Sequence, residues 1–482
     1  MPTNASTTPL GEAWPRVRTP WPERSAPLYG QDFANDPFSY YDSLRKTFGP
    51  VAPVALEETG TFRGYLVLDH AYQLEILQNR GHVWTRDSRW YRDFAEGTLP
   101  PHPLIPQFAY RRSRLYAEGM EHSRLSSPGN KALAELNLLR TRDLIEDLAE
   151  QLISSFFLDG GPWEWNEVDI LEQYALQLPL LVMMRLMGMD EDSALATGNA
   201  IHEMLSGGPG AQRAAAELDS RMRALVDAKQ RDPGPDLISW MHHYNRELQP
   251  GLDAHELSED VWLQIVAGRG ASTTWICNTV LELLTNPDLN ADVIAGRCQM
   301  EEAMNRVMWV NAPIQNLIGR WATQDTRLGR YPVNCGDMAI ICLGATGADP
   351  AMLSAGFDVS RTNRSHLAWG AGSHGCPVPD LGTLIVRTGL EVLWNRLPGL
   401  RLAVPKESLV WDLPYVARSP TALPVVFPLP PMRPTNGQQW TAQHSFISNP
   451  PRPISTEPKE QPSARQGRLP LWRSLVAWWP KR

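Results

Sequence analysis

One cysteine stands in a glycine-rich loop that runs directly into a helical segment. Residues 366–400 read HLAWGAGSHGCPVPDLGTLIVRTGLEVLWNRLPGL, with His374 two positions before Cys376. Beyond the loop, apolar residues recur at helical spacing; Pro379 suits the first helical turn, and Asp380 complements the helix dipole. Cys376 is therefore expected just before a helix N-terminus, where free backbone N–H groups stabilise a thiolate and lower its pKa.

The donor atom of this loop indicates its chemistry. A thiolate is a soft ligand, and Gly370 and Gly372 let the backbone pass close to something flat, so the loop suits a haem with Cys376 as the ligand of the iron. A cysteine beside glycines is, taken alone, more often a buried and inert thiol. The combination of loop, histidine, cysteine and helix favours ligation instead. A zinc site is less favoured, because Cys335 and Cys342 are too widely spaced for a CxxC knuckle and no second ligand pair is seen.

The loop resembles that of the cytochrome P450 family of haem-thiolate monooxygenases, whose pattern is Phe-Gly-x-Gly-x-His-x-Cys-x-Gly. This chain has Trp369 at the Phe position and Val378 at the last Gly, and it matches the Gly, His and Cys positions between them. The resemblance covers about residues 30–428. It implies a mainly α fold with small β-sheets in a single large haem-binding domain, and haem b (iron protoporphyrin IX) as the cofactor.

The resemblance also implies which residues meet the haem propionates. His374 falls at one such position, His122 in the run MEHSRL at another, and Arg320 at a third, within a strand pair expected at 318–329. Without the resemblance, each histidine is an ordinary polar residue, and for His122 the two interpretations are about equal.

Residues 258–287 predict one long helix that Ser258 caps and Pro287 follows. In the family such a helix crosses the distal face of the haem, and Ala267-Gly268 matches its Ala-Gly. Gly268 and Gly270 fall in mid-helix, where each costs about 1 kcal/mol relative to Ala, which suggests that room is needed there. Arg269, between them, either reaches an acidic substrate or a haem propionate or faces solvent, and solvent is the favoured alternative.

The distal helix departs from the family where an acid and then a Thr are usual. Those positions are Gly270 and Ala271, which cannot relay protons to bound dioxygen. Ser272 and Thr274 are expected to point elsewhere unless the helix is locally distorted. The candidate catalytic positions are therefore Gly268, Gly270, Ala271 and Ser272.

A second departure lies on the helix before the strand pair. The family's Glu-x-x-Arg motif should fall at 306–309, where the charges are missing from their usual places, and Glu302 with Asn305 is an alternative register. Trp309 suggests that packing replaces the usual buried ion pairs. The family Arg four residues after His122 is Ser126 here, although Arg124 is near.

Composition bounds the remaining possibilities. The chain has 482 residues and a net charge of −8, so a nucleic-acid role has little support. Five scattered cysteines do not read as a disulfide framework and favour a reducing cytoplasm, and the N-terminal stretch has no apolar run typical of a signal peptide or anchor. Helical patterns cover 131–157, 168–188 and 211–229; strand-like runs cover 63–68, 338–343 and 423–427.

Three regions are expected along the chain. Residues 1–30 form a Pro-rich, loosely held N-terminal arm, residues 31–428 form the haem domain, and residues 429–482 form a Pro-rich flexible tail. The tail ends in a Trp-rich amphipathic tip at 469–482, which either contacts a membrane surface or protein partner or folds back onto its own domain.

Two functional hypotheses follow. In the first, the protein is a haem-thiolate monooxygenase, suited to secondary-metabolite tailoring, that takes electrons from a ferredoxin-type partner and oxidises a small-molecule or carrier- or peptide-bound substrate; peroxide-dependent or cross-linking chemistry is a variant. In the second, catalysis is altered and the protein is a haem-binding sensor or complex subunit. The well-kept thiolate loop favours the enzyme.

Overall fold

The computed structural model describes residues 19–428, except positions 101, 103–104, 158–164, 206–209, 350–361 and 413–414. The first 18 residues of the predicted arm, and the whole predicted tail with its tip at 469–482, lie outside the described residues. Within the described part, no helix has the length and apolar character needed to cross a membrane. The mainly α architecture with small β-sheets is confirmed.

The helices carry most of the described chain. In chain order they are α1 (Gln31–Asn35), α2 (Pro37–Phe48), α3 (His70–Gln78), α4 (Arg92–Ala95), α5 (Ile105–Phe108), α6 (Gly119–Ala134), α7 (Leu138–Ser155), α8 (Leu178–Leu186), α9 (Glu191–Leu205), α10 (Ala211–Arg231), α11 (Leu237–Arg246), α12 (Ala254–Thr285), α13 (Pro287–Ile294), α14 (Met300–Val310) and α15 (Pro379–Arg396). Helix α12 has 32 residues and packs against α6, α8, α10, α14 and α15, so it forms the centre of the helical part.

The start of α12 corrects the predicted one. Asp253, rather than Ser258, is the N-cap, and Asp253 and Glu256 form a reciprocal capping box. The Ser258 hydroxyl lies inside the helix and donates to the backbone oxygen of His255. The helix therefore begins one turn earlier than the sequence predicted.

Two predicted helical runs are also divided. The pattern at 131–157 contains the end of α6 and the whole of α7, because the Asn137 side chain accepts hydrogen bonds from Leu139 and Arg140 N–H and starts a new helix. The pattern at 168–188 contains the end of a strand, a π-helical turn at Leu171–Ala175 and then α8. The pattern at 211–229 corresponds to α10.

The strands form three sheets in the described part. They are β1 (Ala26–Pro27), β2 (Val51–Ala55), β3 (Arg63–Val67), β4 (Trp84–Thr85), β5 (Trp165–Asp169), β6 (Asn316–Ala322), β7 (Thr326–Leu328), β8 (Tyr331–Val333), β9 (Met338–Cys342), β10 (Arg401–Leu402) and β11 (Pro424–Pro428). The largest sheet has the order β1-β2-β3-β9-β6-β4, and the others are β10-β11-β5 and β7-β8. Strands β3, β9 and β11 match the three predicted strand-like runs within one residue.

The expected strand pair at 318–329 is not one pair. Strand β6 pairs with β9 and β4, whereas β7 pairs with β8, so the two halves of this segment belong to different sheets. Strand β6 lies inside the large sheet, and this position buries Arg320 to 4% exposure.

The part of the N-terminal arm that the structure describes is attached to the domain. The backbone N–H of Thr19 donates to Asn334 Oδ1 at 2.8 Å, and the Trp21 ring lies 4.7 Å from that of Tyr65. Strand β1 pairs in parallel with β2. The prediction of a loosely held arm is therefore wrong for residues 19–30.

Candidate functional site

Cys376 lies where the sequence placed it, between a short 3-10 turn at Gly372–His374 and the first residue of α15, Pro379. Its backbone N–H donates to the carbonyl oxygen of Trp369 at 2.7 Å, which closes the loop. The other four cysteines are buried, and Cys376 is exposed. A thiol at the end of a closed loop, with access to ligands, is suited to metal binding.

The pKa of Cys376 differs from the sequence prediction. Burial among surrounding protein atoms raises the pKa of the thiol, while the Val378 N–H and the more distant Arg114 guanidinium act to lower it. The helix terminus alone therefore does not make the thiolate the stable form, whereas coordination to a metal deprotonates a thiol outright.

The two loop glycines are needed by the protein's own backbone. Gly370 and Gly372 have φ values of +71° and +70°. A Cβ on Gly372 would lie 2.5 Å from the backbone oxygen of Leu77, so the loop packs directly on the end of α3. Packing against α3 therefore accounts for Gly372 without a flat ligand. A role for Gly370 in cofactor binding stays a prediction.

The predicted propionate residues come together in one cluster. The rings of His122 and His374 lie 4.6 Å apart, and His374 Nε2 lies 3.1 Å from Glu118 Oε1. Arg320 is buried, and its Nη1 has no hydrogen-bond partner among the described residues. Arg86, which the sequence analysis did not single out, completes the cluster: its backbone N–H donates to Glu118 Oε1 at 3.2 Å. These five residues come from four segments of the chain.

This cluster has too little negative charge for its buried cations. Burial and the neighbouring charge of Arg86 lower the pKa of Arg320, and burial lowers the pKa of His374 to about 4. Burial acts to raise the pKa of Glu118, but His374 and Arg320 hold it below its usual range. The single carboxylate of Glu118 is thus the negative charge for the guanidinium groups of both Arg86 and Arg320. Because buried charges require partners, the cluster can accept a further anion.

The donor set fits haem. Cys376 offers a soft ligand for iron, and the buried guanidinium groups of Arg86 and Arg320 offer partners for propionate carboxylates. Within the described ranges, no group of three or more His, Cys, Asp or Glu side chains is arranged to hold a metal ion, so the zinc alternative gains no support.

Arg124, which lies near the position of the missing family arginine, is occupied elsewhere. Arg124 donates to Glu256 Oε1 at 2.6 Å and to Glu121 Oε1 at 2.7 Å. The Ser126 hydroxyl donates to the backbone oxygen of its own helix at His122. Neither Arg124 nor Ser126 therefore supplies a cation to the cluster.

Helix α12 presents a strip of small residues to open space in the middle of its length. The exposed residues of this strip are Val266, Ala267 and Gly270, although the helical turns on either side are buried. Ala271 continues the same face of the helix. We call these four residues the small-residue stripe. A Cβ on Gly270 would meet nothing within 4 Å. One turn further on, the Trp275 ring lies 5.5 Å from that of Trp369, which places α12 against the cysteine loop.

Gly268 serves helix packing rather than the stripe. A Cβ there would lie 3.2 Å from Met183 Cγ and Sδ on α8. Arg269 also differs from expectation, because most of its side chain is buried, and its Nε has no hydrogen-bond partner among the described residues. Burial lowers the pKa of Arg269. The prediction that Arg269 faces solvent is therefore wrong.

The three hydroxyl residues that follow the stripe, Ser272 to Thr274, are buried. Ser272 is buried, and α12 is α-helical throughout, so no distortion turns Ser272 toward the stripe. The Thr273 hydroxyl donates to the backbone oxygen of Ala175. Thr274 lies four residues after Gly270, on the stripe's side of the helix, contrary to the predicted orientation, and its hydroxyl donates to the Gly270 carbonyl at 3.3 Å.

The sequence offers two positions for the family's Glu-x-x-Arg motif, 306–309 and Glu302 with Asn305. Residues from both positions contact the segment that leads into the cysteine loop. Asn305 and Trp309 bind the backbone of Asn363, while Arg364 donates to Asn305 Oδ1 and Glu301 Oε1. Glu302 is not part of this group, because its side chain accepts from Gln299 N–H at the start of α14. Residues 363–366 were not identified from the sequence, since nothing local links them to α14.

No model of a protein family matches the chain. Mycinamicin IV hydroxylase/epoxidase of Micromonospora griseorubida is 29% identical over 320 residues, which cover 64% of this chain and 78% of that protein. Cytochrome P450 monooxygenase PikC of Streptomyces venezuelae is 26% identical over 404 residues, which cover 82% and 92%. The solved structure of CYP154C4 from Streptomyces sp. W2061 has a TM-score of 0.72 at 28% identity, covering 83% of this chain and 97% of that one.

Proposed function

Because this chain belongs to the cytochrome P450 family, we propose that it is a monooxygenase whose haem iron is ligated by Cys376. When bound, haem supplies the redox centre at which dioxygen, two electrons and two protons are consumed, one oxygen atom entering an organic substrate and the other leaving as water. The observation that carries the ligand assignment is that Cys376, alone among the five cysteines, is exposed, on a closed loop beside the buried cation cluster.

The other site residues have distinct roles in this proposal. Arg320, His374 and His122 would hold the propionates and so orient the cofactor when it binds. The small-residue stripe forms the wall against which the substrate lies, because its side chains leave open space. Substrate position and exclusion of water are therefore supplied by the protein, as in other cofactor enzymes.

Protons on the distal side come from water or from a hydroxyl group of the substrate. Gly270 and Ala271 carry no group that transfers protons, and the Thr274 hydroxyl donates to the Gly270 carbonyl. The open space beside Gly270 admits a water molecule or a substrate hydroxyl at the place where the family has its acid. This proposal explains how a chain without the usual pair retains oxygenase chemistry.

The proposed substrate is a secondary metabolite, taken either free or bound to a carrier. Support comes from the relatives, one of which acts on mycinamicin IV and is 29% identical. In this chain the buried guanidinium of Arg269 is a cation without a partner among the described residues. Its position on α12 lies off the stripe, so we assign it no contact with substrate.

The proposed electron donor is a ferredoxin-type protein that docks beside the cation cluster. A depression of about 650 Å³ there is bordered by Arg80, His122, Ser373 and Met120, whose side chain is 91% exposed. This surface adjoins the cysteine loop, so a donor bound on it lies close to the cofactor. Met120→Glu is expected to slow reduction by a ferredoxin and to leave reduction by dithionite unchanged.

The ligand assignment is tested by the carbon-monoxide spectrum of the reduced protein. The wild type is expected to show the Soret band characteristic of thiolate ligation, and Cys376→Ala is expected to lose it. Cys277→Ala, which changes a fully buried cysteine of α12, is the matched control and should retain the band. Persistence of the band in Cys376→Ala would show that the axial ligand is another residue.

The oxygenase assignment is tested by turnover. Purified protein supplied with a surrogate ferredoxin and reductase, or with peroxide, is expected to oxidise members of a panel of macrolides, aromatic acids and peptides. Absence of product across the panel, with a normal carbon-monoxide spectrum, would favour the haem-binding sensor or complex-subunit alternative.

A further inference from the structure

Arg86 lies in the cation cluster, although it comes from a part of the chain distant from the cysteine loop. It directly follows strand β4, and its backbone N–H donates to Glu118. The Nε atom of its guanidinium is shielded from solvent and has no hydrogen-bond partner among the described residues. Within the part of the chain that the structure describes, this arginine makes no ion pair that would compensate for the shielded Nε atom.

The antiparallel register of β4 and β6, with Thr85 opposite Trp321, brings Arg86 beside Arg320, and the two like charges repel each other. The charge of Arg86 lowers the pKa of Arg320, as burial also does, and burial lowers the pKa of Arg86 itself. Glu118 is the carboxylate that acts on both, and its side chain remains 30% exposed. Burying like charges beside one partly exposed carboxylate is unfavourable unless an anionic ligand joins them.

Two other arginines near the cluster are already paired. Arg114 Nε lies 2.7 Å from Asp260 Oδ1, and Arg114 Nη1 donates to Asn130. Arg89, three residues after Arg86, forms a bidentate pair with Asp87. Arg86 and Arg320 are thus the guanidinium groups of the cluster that remain available to a ligand.

We propose that Arg86 is a second anchor for the haem propionates and replaces the arginine that the family carries where this chain has Ser126. The inference rests on the proposed haem cofactor. The two charged groups of haem meet two buried guanidinium groups, one from β6 and one from the segment after β4. The planar fork of arginine suits a carboxylate through paired N–H donors.

The experiment compares haem-loaded Arg86→Gln with the wild type, by haem transfer to excess apomyoglobin and by the propionate bending mode in the resonance Raman spectrum. Loss of one charge-assisted hydrogen bond, about 1.5–3 kcal/mol, corresponds to haem loss about ten- to a hundredfold faster. The bending mode should shift to lower frequency. Arg86→Lys keeps the charge without the fork and should lie between the two.

Two further variants separate a contact with haem from a general effect on folding. Arg89→Gln removes a paired arginine from the same segment and should leave the bending mode unchanged. Adding Ser126→Arg to Arg86→Gln restores a cation at the family position and should slow haem loss again.

The proposal is overturned if Arg86→Gln keeps the wild-type bending mode, or if its haem loss is no faster than that of Arg89→Gln. Failure of the underlying haem assignment looks different. In that case the wild type itself would hold no haem.

Discussion

Asn305 and Trp309, one turn apart on α14, donate hydrogen bonds to the same backbone carbonyl oxygen. Asn305 Nδ2 lies 2.7 Å and Trp309 Nε1 lies 2.9 Å from the carbonyl oxygen of Asn363. Both side chains are buried. An amide and an indole thus fix the segment that leads into the cysteine loop, where the family uses a Glu-x-x-Arg motif.

Removing the indole donor tests this arrangement. Trp309→Phe keeps an aromatic ring but loses the hydrogen bond, and it is expected to lower the free energy of unfolding by about 1–3 kcal/mol. The measurement is thermal unfolding of the haem-loaded protein, followed by circular dichroism and haem absorbance. Trp394→Phe is the control, because its indole donates to Asn290 in a less buried place. Equal stability of Trp309→Phe and wild type would contradict the structural role.

His366 lies in the same group and predicts a dependence of stability on pH. Its Nε2 lies 3.2 Å from Asn305 Oδ1, and its ring meets that of Trp309 edge-on. Burial, helped by Arg364, lowers the pKa of His366 from 6.5 to about 4. Between these values the unfolded chain binds a proton that the folded chain excludes, so stability falls as the pH falls, by up to about 1.4 kcal/mol per pH unit.

The substitution His366→Gln keeps a donor for Asn305 and removes the titration. This variant is expected to lose less stability than the wild type between pH 7 and pH 4.5. Unfolding at a series of pH values measures the difference, and His243→Gln, at an exposed histidine, controls for loss of any imidazole. Parallel curves for His366→Gln and wild type would show that His366 does not titrate differently in the two states.

Features encoded by neighbouring residues were predictable from the sequence. Cys376 was placed before a helix because Pro379 and Asp380 are local helix-start residues, and α15 begins at Pro379. The start of α12 is also encoded locally, since Asp253 and Glu256 have capping-box spacing, although Ser258 is a cap residue as well and predicts a later start.

Features that depend on tertiary contacts were not predictable. Arg86 and Glu118 meet Arg320 only because β4 and β6 pair, and no local pattern shows this pairing. The burial of Arg269 likewise depends on what packs around α12. Thr274 is a different case, because its orientation does follow from the sequence. It comes four residues after Gly270, and this helical spacing alone puts both residues on one side of α12.

The stripe predicts the effect of restoring the family's acid and Thr. A side chain at Gly270 enters open space, so Gly270→Asp with Ala271→Thr is expected to fit. Supplying a proton relay should raise the fraction of electrons that reach product, because a positioned acid speeds the proton transfer that the productive reaction needs. Product and peroxide formed per electron pair are the measurement. Ser272→Ala is the control, because this residue is buried and off the stripe, and it should change neither the product nor the peroxide yield. If the double variant also leaves the ratio of product to peroxide unaltered, protons already arrive efficiently by another route.

The first turns of α12 are joined to neighbouring segments by buried ion pairs. The Glu256 side chain is 1% exposed and lies 2.6 Å from an Arg124 nitrogen on α6 and 2.9 Å from one of Arg112. Its other oxygen accepts from Asp253 N–H, as the capping box requires. One carboxylate therefore joins α6, α12 and the segment before α6.

Glu256→Gln is expected to be more destabilising than loss of an exposed pair. The amide keeps the bond to Asp253 but leaves Arg124 and the half-exposed Arg112 with only the exposed carboxylates of Glu121 and Asp253, a cost of about 1–3 kcal/mol. Glu247→Gln is the matched control, because Glu247 pairs with Lys131 at about half exposure on both sides and should cost about 0–1 kcal/mol. Thermal unfolding at low and high salt measures both changes. The Glu256 effect should persist at high salt, since buried charges are poorly screened, and a small or salt-sensitive effect would mean that this ion-pair group opens readily to solvent.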